Sequence, residues 1–218
     1  LCLSAVDGSE LRQFNGLPQV TPLRYSPSPA VDGDVVTVPY PNGDVVALSV
    51  ADGTPLWQET LAKTRTTTSF AAMSDAAAPA MYNGVTYAIG HGGRFVATQQ
   101  ATGERVWALD IGSIQRPWVA GDSVFVVDTR GQAMAVDRNA GSVQWTAKLP
   151  GARVWSGPVL GGGKLWFASN KGLLVGVDAL TGTVQAKINL GDPVYVPPVI
   201  AEGRLFVLTD DAKLIAFR

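Results

Sequence analysis

The sequence predicts an all-β protein, a β-propeller of four-stranded antiparallel blades, on three observations. The first is a repeat. Residues 28–57, SPAVDGDVVTVPYPNGDVVALSVADGTPLW, return in pattern at 78–107, 116–145 and 157–186, and in shortened form at 197–218. Pro29, Pro79, Pro117, Pro158 and Pro198 stand 50, 38, 41 and 40 residues apart, and the turn glycines Gly53, Gly103, Gly141 and Gly182 repeat the first three spacings. Length therefore varies only between units, and a period near forty residues marks stacked repeats. The second observation is punctuation: Asp32-Gly33, Asn42-Gly43 and Asp52-Gly53 supply the positive φ that short hairpin loops demand. The third is that the runs between these turns are short, β-branched and partly all-apolar, as in sheets covered on both faces.

Within the first full unit the strands are expected at 29–31, 35–39, 45–50 and 55–61. The second strands (VVTV, VTYAI, SVFVV, KLWFA, RLFVL) are almost wholly apolar. The third alternate more clearly, which suggests a position nearer the outside of the blade. Trp57, Trp107 and Trp145 each follow the last turn glycine by four residues and are expected to be pegs between adjacent blades, with Ala186 in that place in the fourth unit. The opening LCLSAVDGSEL aligns with ALSVADGTPL, so the chain starts in mid-unit. The expectation is one propeller domain over 1–218, truncated at its N-terminus, with blades near 1–14 (partial), 28–61, 78–111, 116–149, 157–190 and 197–218 (partial). That is about five blades of an expected eight. A sheet whose faces are apolar cannot bury both alone, and radial stacking solves this while leaving short edges. An open arc is accordingly expected to dimerise or aggregate.

Composition narrows the function. Of 218 residues, 46% are hydrophobic and 16% charged, which suits a large core and excludes disorder. A net charge of -1 with no basic cluster argues against nucleic acid as a partner. No apolar run is long enough for a spanning helix. Cys2 is the single cysteine and is expected in a strand.

Catalytic constellations are sparse. His91 is the single histidine and falls in the GHGGR turn. A Ser or Cys triad would need it, yet no G-x-S-x-G elbow exists, and zinc needs more His or Cys ligands than the chain has. Asp32, Asp52, Asp122, Asp137, Asp178 and Asp210 sit at turns or strand ends, where an Asp accepts backbone N–H bonds. Gly161-Gly162-Gly163 lacks the following helix of a phosphate loop. No catalytic, cofactor-binding or metal residue is assigned.

Two connections stand out. Residues 61–77, LAKTRTTTSFAAMSDAA, interrupt otherwise tight units, and 15–27, NGLPQVTPLRYSP, is the equivalent link one blade earlier. Long loops on a rigid scaffold are where binding residues concentrate.

The pattern A-x-D-x-x-T-G-x-x-x-W, seen as ATQQATGERVW (97–107), AVDRNAGSVQW (135–145) and, more weakly, VDALTGTVQ (177–185), resembles the PQQ-type propeller repeat. One user of that repeat is the quinoprotein dehydrogenases, with pyrroloquinoline quinone, calcium and a Cys-Cys pair. Their ligands have no counterpart here. Order of units, loop lengths, the segment ending in MSDAAAP and the terminal DDAKLIAFR together resemble the BamB family of outer-membrane assembly lipoproteins, α-proteobacterial type, over essentially the whole chain. The resemblance implies a non-catalytic scaffold on the periplasmic face of the outer membrane, held by a lipid on a cysteine outside this sequence. It implies binding to the periplasmic POTRA domains of BamA, with unfolded outer-membrane proteins as further clients. The family's L-x-L-R loop is matched by Thr21-Pro22-Leu23-Arg24, with Thr21 in place of the first Leu. Its S-D-x-D loop is matched by Ser74 and Asp75, without the second Asp. Strand addition at an exposed blade edge is a second mode of partner binding. A dehydrogenase-like propeller enzyme and a periplasmic propeller with another protein partner remain the alternatives.

Overall fold

The computed structural model describes residues 2–14, 27–40, 42–61 and 76–218, which form two compact units, Leu1–Ala108 and Leu109–Arg218. Among the described residues every regular element is a strand. In the first unit β1 (Cys2–Leu3) pairs antiparallel with β2 (Glu10–Arg12). The next sheet runs β3 (Ala30–Asp32), β4 (Val35–Pro39), β5 (Asp44–Ser49), β6 (Pro55–Thr60) in sequence order. It is followed by β7 (Ala80–Tyr82), β8 (Val85–Ile89), β9 (Phe95–Gln99) and β10 (Arg105–Leu109), again a meander.

The second unit contains β11 (Trp118–Ala120), β12 (Ser123–Val127), β13 (Gln132–Asp137), β14 (Val143–Lys148) in one sheet. A second holds β15 (Trp155–Gly161), β16 (Lys164–Ser169), β17 (Leu173–Asp178), β18 (Val184–Asn189). A three-stranded sheet, β19 (Val199–Ala201), β20 (Arg204–Leu208), β21 (Leu214–Phe217), completes it. These are propeller blades, and the predicted strands agree with the observed ones to within a residue.

Register follows from the turns. Gly53 and Gly182 have φ of 75° and 74°, so the chain reverses within a few residues and each third strand pairs directly with the fourth. A bulge recurs where this pairing begins, between Ala47 and Leu48, Ala135 and Val136, and Gly176 and Val177. It increases local twist and helps the blade curl.

One expectation is corrected. The alternation in the third strands does not place them toward the outside. β5, β13 and β17 are buried along nearly their whole length, and each lies between two partner strands within its sheet. The outer position belongs to the fourth strands, and β14 and β18 show it as regular alternation of exposed and half-buried residues.

Burial explains the stacking. Val45, Leu61, Ala76, Ala88 and Val96 form one cluster between the two four-stranded sheets of the first unit, with Trp57 against it. In the second unit Phe125, Val127 and Ala135 of one sheet meet Leu165, Phe167 and Val177 of the next. Ala168, Leu174, Val194, Leu205 and Val207 repeat the arrangement one sheet further. Each fully buried Val, Leu or Phe contributes about 1.5–3 kcal/mol, so the sheets hold each other in place.

Candidate functional site

Thr21, Leu23, Arg24, Ser74 and Asp75 lie outside the described residues. The frame from which residues 62–75 depart and to which they return is described in detail. Leu61 is wholly buried and its N–H donates to the Gly43 carbonyl at 2.7 Å. Ala76 is equally buried, bridges antiparallel to Gly90, and is followed by Ala77, whose N–H donates to the Ile89 carbonyl at 2.8 Å. Leu61 and Ala76 belong to the same apolar cluster, so both ends of the connection are fixed by one core. Residues 15–26 are followed by Pro27, which is buried.

The turn beside this frame is held by one carboxylate. Asp44, buried at the start of β5, accepts hydrogen bonds from Asn42 Nδ2 at 2.7 Å, Gln58 Nε2 at 2.9 Å and Thr60 Oγ1 at 2.7 Å. Its own N–H donates to Asn42 Oδ1 at 3.0 Å. The last residues of β6 are thereby tied to the Asn42-Gly43 turn. Beyond the connection, the next turn carries Arg94, whose guanidinium reaches the Thr60 carbonyl at 3.4 Å, and His91, which is exposed. Glu59, buried, receives both hydrogen bonds of Arg105 at 2.7 and 2.9 Å, linking β6 to β10. None of these partnerships was legible in the sequence, since each joins residues distant along the chain.

Two of the three peg positions, Trp57 and Trp145, join one sheet to the next as expected, whereas the ring contacts of Trp107 lie within its own sheet. Trp57 donates its indole N–H to the Gln100 carbonyl at 2.7 Å, and Trp145 donates to the Ala179 carbonyl at 3.1 Å. Trp107 packs on Phe95, edge to face at 5.0 Å, and on Tyr87. The same position in the opening half-unit is Arg12, whose guanidinium donates to the Val50 carbonyl while its stem lies on Gly53. The signal for it was available: Arg12 follows Gly8 by four residues, as Trp57 follows Gly53.

Three of the six turn carboxylates accept backbone N–H bonds as expected. Asp52 accepts from the Thr54 backbone and hydroxyl, Asp137 from the Asn139 and Ala140 backbone, and Asp178 from the Leu180 and Thr181 backbone. Asp32 accepts instead from the buried Gln100 side chain of the neighbouring sheet, and Asp122 approaches Arg138 at 3.7 Å. Cys2 stands in β1, exposed. Among the described residues no three His, Cys, Asp or Glu side chains converge. No helix among them is long and apolar enough to cross a membrane.

Comparison with known proteins places these features. The family model described as outer membrane protein assembly factor BamB matches residues 2–147 and 135–218. The outer membrane protein assembly factor BamB of Alkalilimnicola ehrlichii is 33% identical over 204 residues, covering 91% of this chain and 52% of the relative. The crystal structure of BamB from Moraxella catarrhalis superposes with a TM-score of 0.85 at 19% identity, over 96% of this chain and 63% of that one. The quinohemoprotein alcohol dehydrogenase of Comamonas testosteroni shares the fold at a TM-score of 0.69 and 16% identity, over 88% of this chain and 41% of its own. The chain spans about half the length of the curated relatives it matches.

Proposed function

Because the chain belongs to the family of outer membrane protein assembly factor BamB, we propose that it is a non-catalytic scaffold of the machinery that assembles β-barrels in the outer membrane. The family match over nearly every residue carries this reading. Its place is the periplasmic face of that membrane, with a lipid anchor in the full-length protein. Its partners are the POTRA domains of BamA and, through them, outer-membrane protein clients.

The contact we assign is made by Thr21, Leu23 and Arg24 on one inter-blade connection and by Ser74 and Asp75 on the next. Leu23 would bury in a groove of the partner, and Arg24 and Asp75 would form charge-assisted bonds at its rim, since a few desolvated anchors dominate such interfaces. The shared core under Leu61 and Ala76 supports the reading, because a binding loop with fixed ends loses less freedom on docking.

The test uses the full-length protein carrying both Leu23→Ser and Arg24→Glu. Co-purification with BamA from membranes is expected to be abolished. Undiminished recovery of BamA would remove the site assignment while leaving the fold untouched. The shared fold with quinohemoprotein alcohol dehydrogenase motivates one control: pyrroloquinoline quinone and calcium are added, and absorbance and dye reduction are followed. The scaffold reading expects no change in either, and turnover would replace it with an enzyme.

A further inference from the structure

In the second unit three inter-sheet connections, 110–117, 149–154 and 190–198, lie against the turns that join second to third strands. Backbone bonds make the surface continuous. Thr129 N–H donates to the Gly112 carbonyl at 3.1 Å, Leu149 to Gly131 at 3.0 Å and Asn170 to Val154 at 3.2 Å. Leu190 donates to Gly172 at 2.7 Å, Val194 to Ser169 at 3.0 Å and Asp210 to Pro193 at 2.8 Å. The connections are therefore held in place, yet they display Ile114, Val154, Tyr195 and Val196 at 46 to 56% exposure. Four large apolar side chains exposed on one continuous, hydrogen-bonded surface are the kind of feature that interaction sites present.

Charge indicates what it meets. Arg130 and Lys213 are occupied by Asp128 at 2.9 Å and Asp192 at 2.6 Å. Arg116, Arg153 and Lys171 are exposed and form no ion pair among the described residues. Arg153 adjoins Val154, and Lys171 follows Asn170, whose N–H is bonded to Val154. Exposed apolar side chains and unpaired cations thus share two of the connections, as Ile114 with Arg116 and Val154 with Arg153, and Lys171 stands on the turn that faces Val154. Asp210 and Asp211 are exposed on the turn beyond Tyr195 and would repel a uniformly anionic surface.

We propose that this end of the second unit is a docking surface for an extended polypeptide segment that alternates apolar side chains with carboxylates. The apolar side chains would cover Val154, Tyr195 and Val196, and the carboxylates would bond Arg116, Arg153 and Lys171. The proposal is independent of Leu23 and Arg24, and each can fail without the other.

The probe is a labelled peptide of about ten residues alternating Phe or Val with Glu, so that one face is apolar in extended form, with a Lys-for-Glu counterpart. Binding to the full-length protein is followed by fluorescence anisotropy. The Glu peptide is expected to bind in a salt-sensitive way and the Lys peptide not to bind. Arg153→Glu with Lys171→Glu should weaken the Glu peptide about tenfold or more. The same variant should now accept the Lys peptide, a gain that misfolding cannot imitate. Val154→Ser should weaken the Glu peptide without changing its preference over the Lys peptide. Leu23→Ser with Arg24→Glu should leave peptide binding unchanged. Absence of binding, equal binding of both peptides, or indifference to the charge reversal would overturn the proposal. So would salt-sensitive binding to phosphatidylglycerol vesicles lost in the same variant, which would assign the cations to a membrane.

Discussion

The Trp57 indole N–H donates to the Gln100 carbonyl at 2.7 Å, and its side chain covers Gly103 so closely that a Cβ there would stand 2.5 Å from Trp57 Cβ. Trp145 repeats the relationship on Ala179 and Gly182, and Arg12 repeats it on Val50 and Gly53. In each case the peg bonds the carbonyl three residues before the glycine it covers. One glycine thus serves two needs, a positive φ for its own hairpin and an open floor for the neighbouring sheet.

Gly103→Ala should be expensive for both reasons. The backbone φ of 74° strains any L side chain, and the methyl collides with Trp57. Strain and overpacking together predict a loss of about 2–4 kcal/mol by chemical denaturation. Gly33→Ala is the control, with φ of 55° and nothing within 4 Å of the added carbon. It should lose only about 1 kcal/mol, from the backbone alone.

Asp44→Ala removes the acceptor for Asn42, Gln58 and Thr60 at the root of the 62–75 connection. Leaving such donors unsatisfied in a partly buried place should cost about 2–3 kcal/mol. Local hydrogen exchange at Gly43 and Leu61 should accelerate beyond the global change, since Leu61 N–H is bonded to the Gly43 carbonyl. If the reading of that connection is right, BamA binding should weaken while the Leu23-Arg24 sequence is intact.

Arg105→Ala leaves the Glu59 carboxylate, only 8% exposed, without its cation. The Arg105 side chain is 41% exposed, so water screens the pair and the expected destabilisation is about 1–2 kcal/mol, below the cost of breaking a fully buried pair. Chemical denaturation measures it, and a double variant with Glu59→Gln should recover part of the loss.

Acid should loosen the turns before it unfolds the sheets. The Thr54 backbone N–H, the Ser49 hydroxyl and the Thr54 hydroxyl hold the Asp52 carboxyl at about 2, and the Ser4 and Ser9 hydroxyls do the same for Asp7. Asp137 is lowered chiefly by the Ala140 N–H and Asp178 chiefly by the Thr181 N–H. A carboxyl whose folded pKa lies below its unfolded value adds stability that is present above about pH 4 and lost as pH falls toward the folded value. Melting temperature should therefore drop between about pH 4 and 2, and Asp52→Asn should flatten that limb.

The blades were legible because their determinants are local. A glycine four residues before a Trp, an alternating strand and a Pro-led first strand each act within a few residues, so the periods of 50, 38 and 41 residues locate the turns without reference to the fold. Strand order within a blade was less so. The alternation of Val45 to Val50 suggests an outer strand, whereas β5 is buried on both faces and the outside belongs to β6 and its equivalents.

By itself, then, the sequence determined the repeat, the hairpin turns, the propeller class and the family, all of which rest on short-range backbone preferences and residue order. Tertiary structure alone decided that Asp44 gathers three donors, that Glu59 meets Arg105, and that Leu61 and Ala76 share a core. It also decided that Arg153, Val154 and Tyr195 belong to one braced surface. These are juxtapositions of residues far apart along the chain, and they come into being only when apolar sheets stack to remove their faces from water.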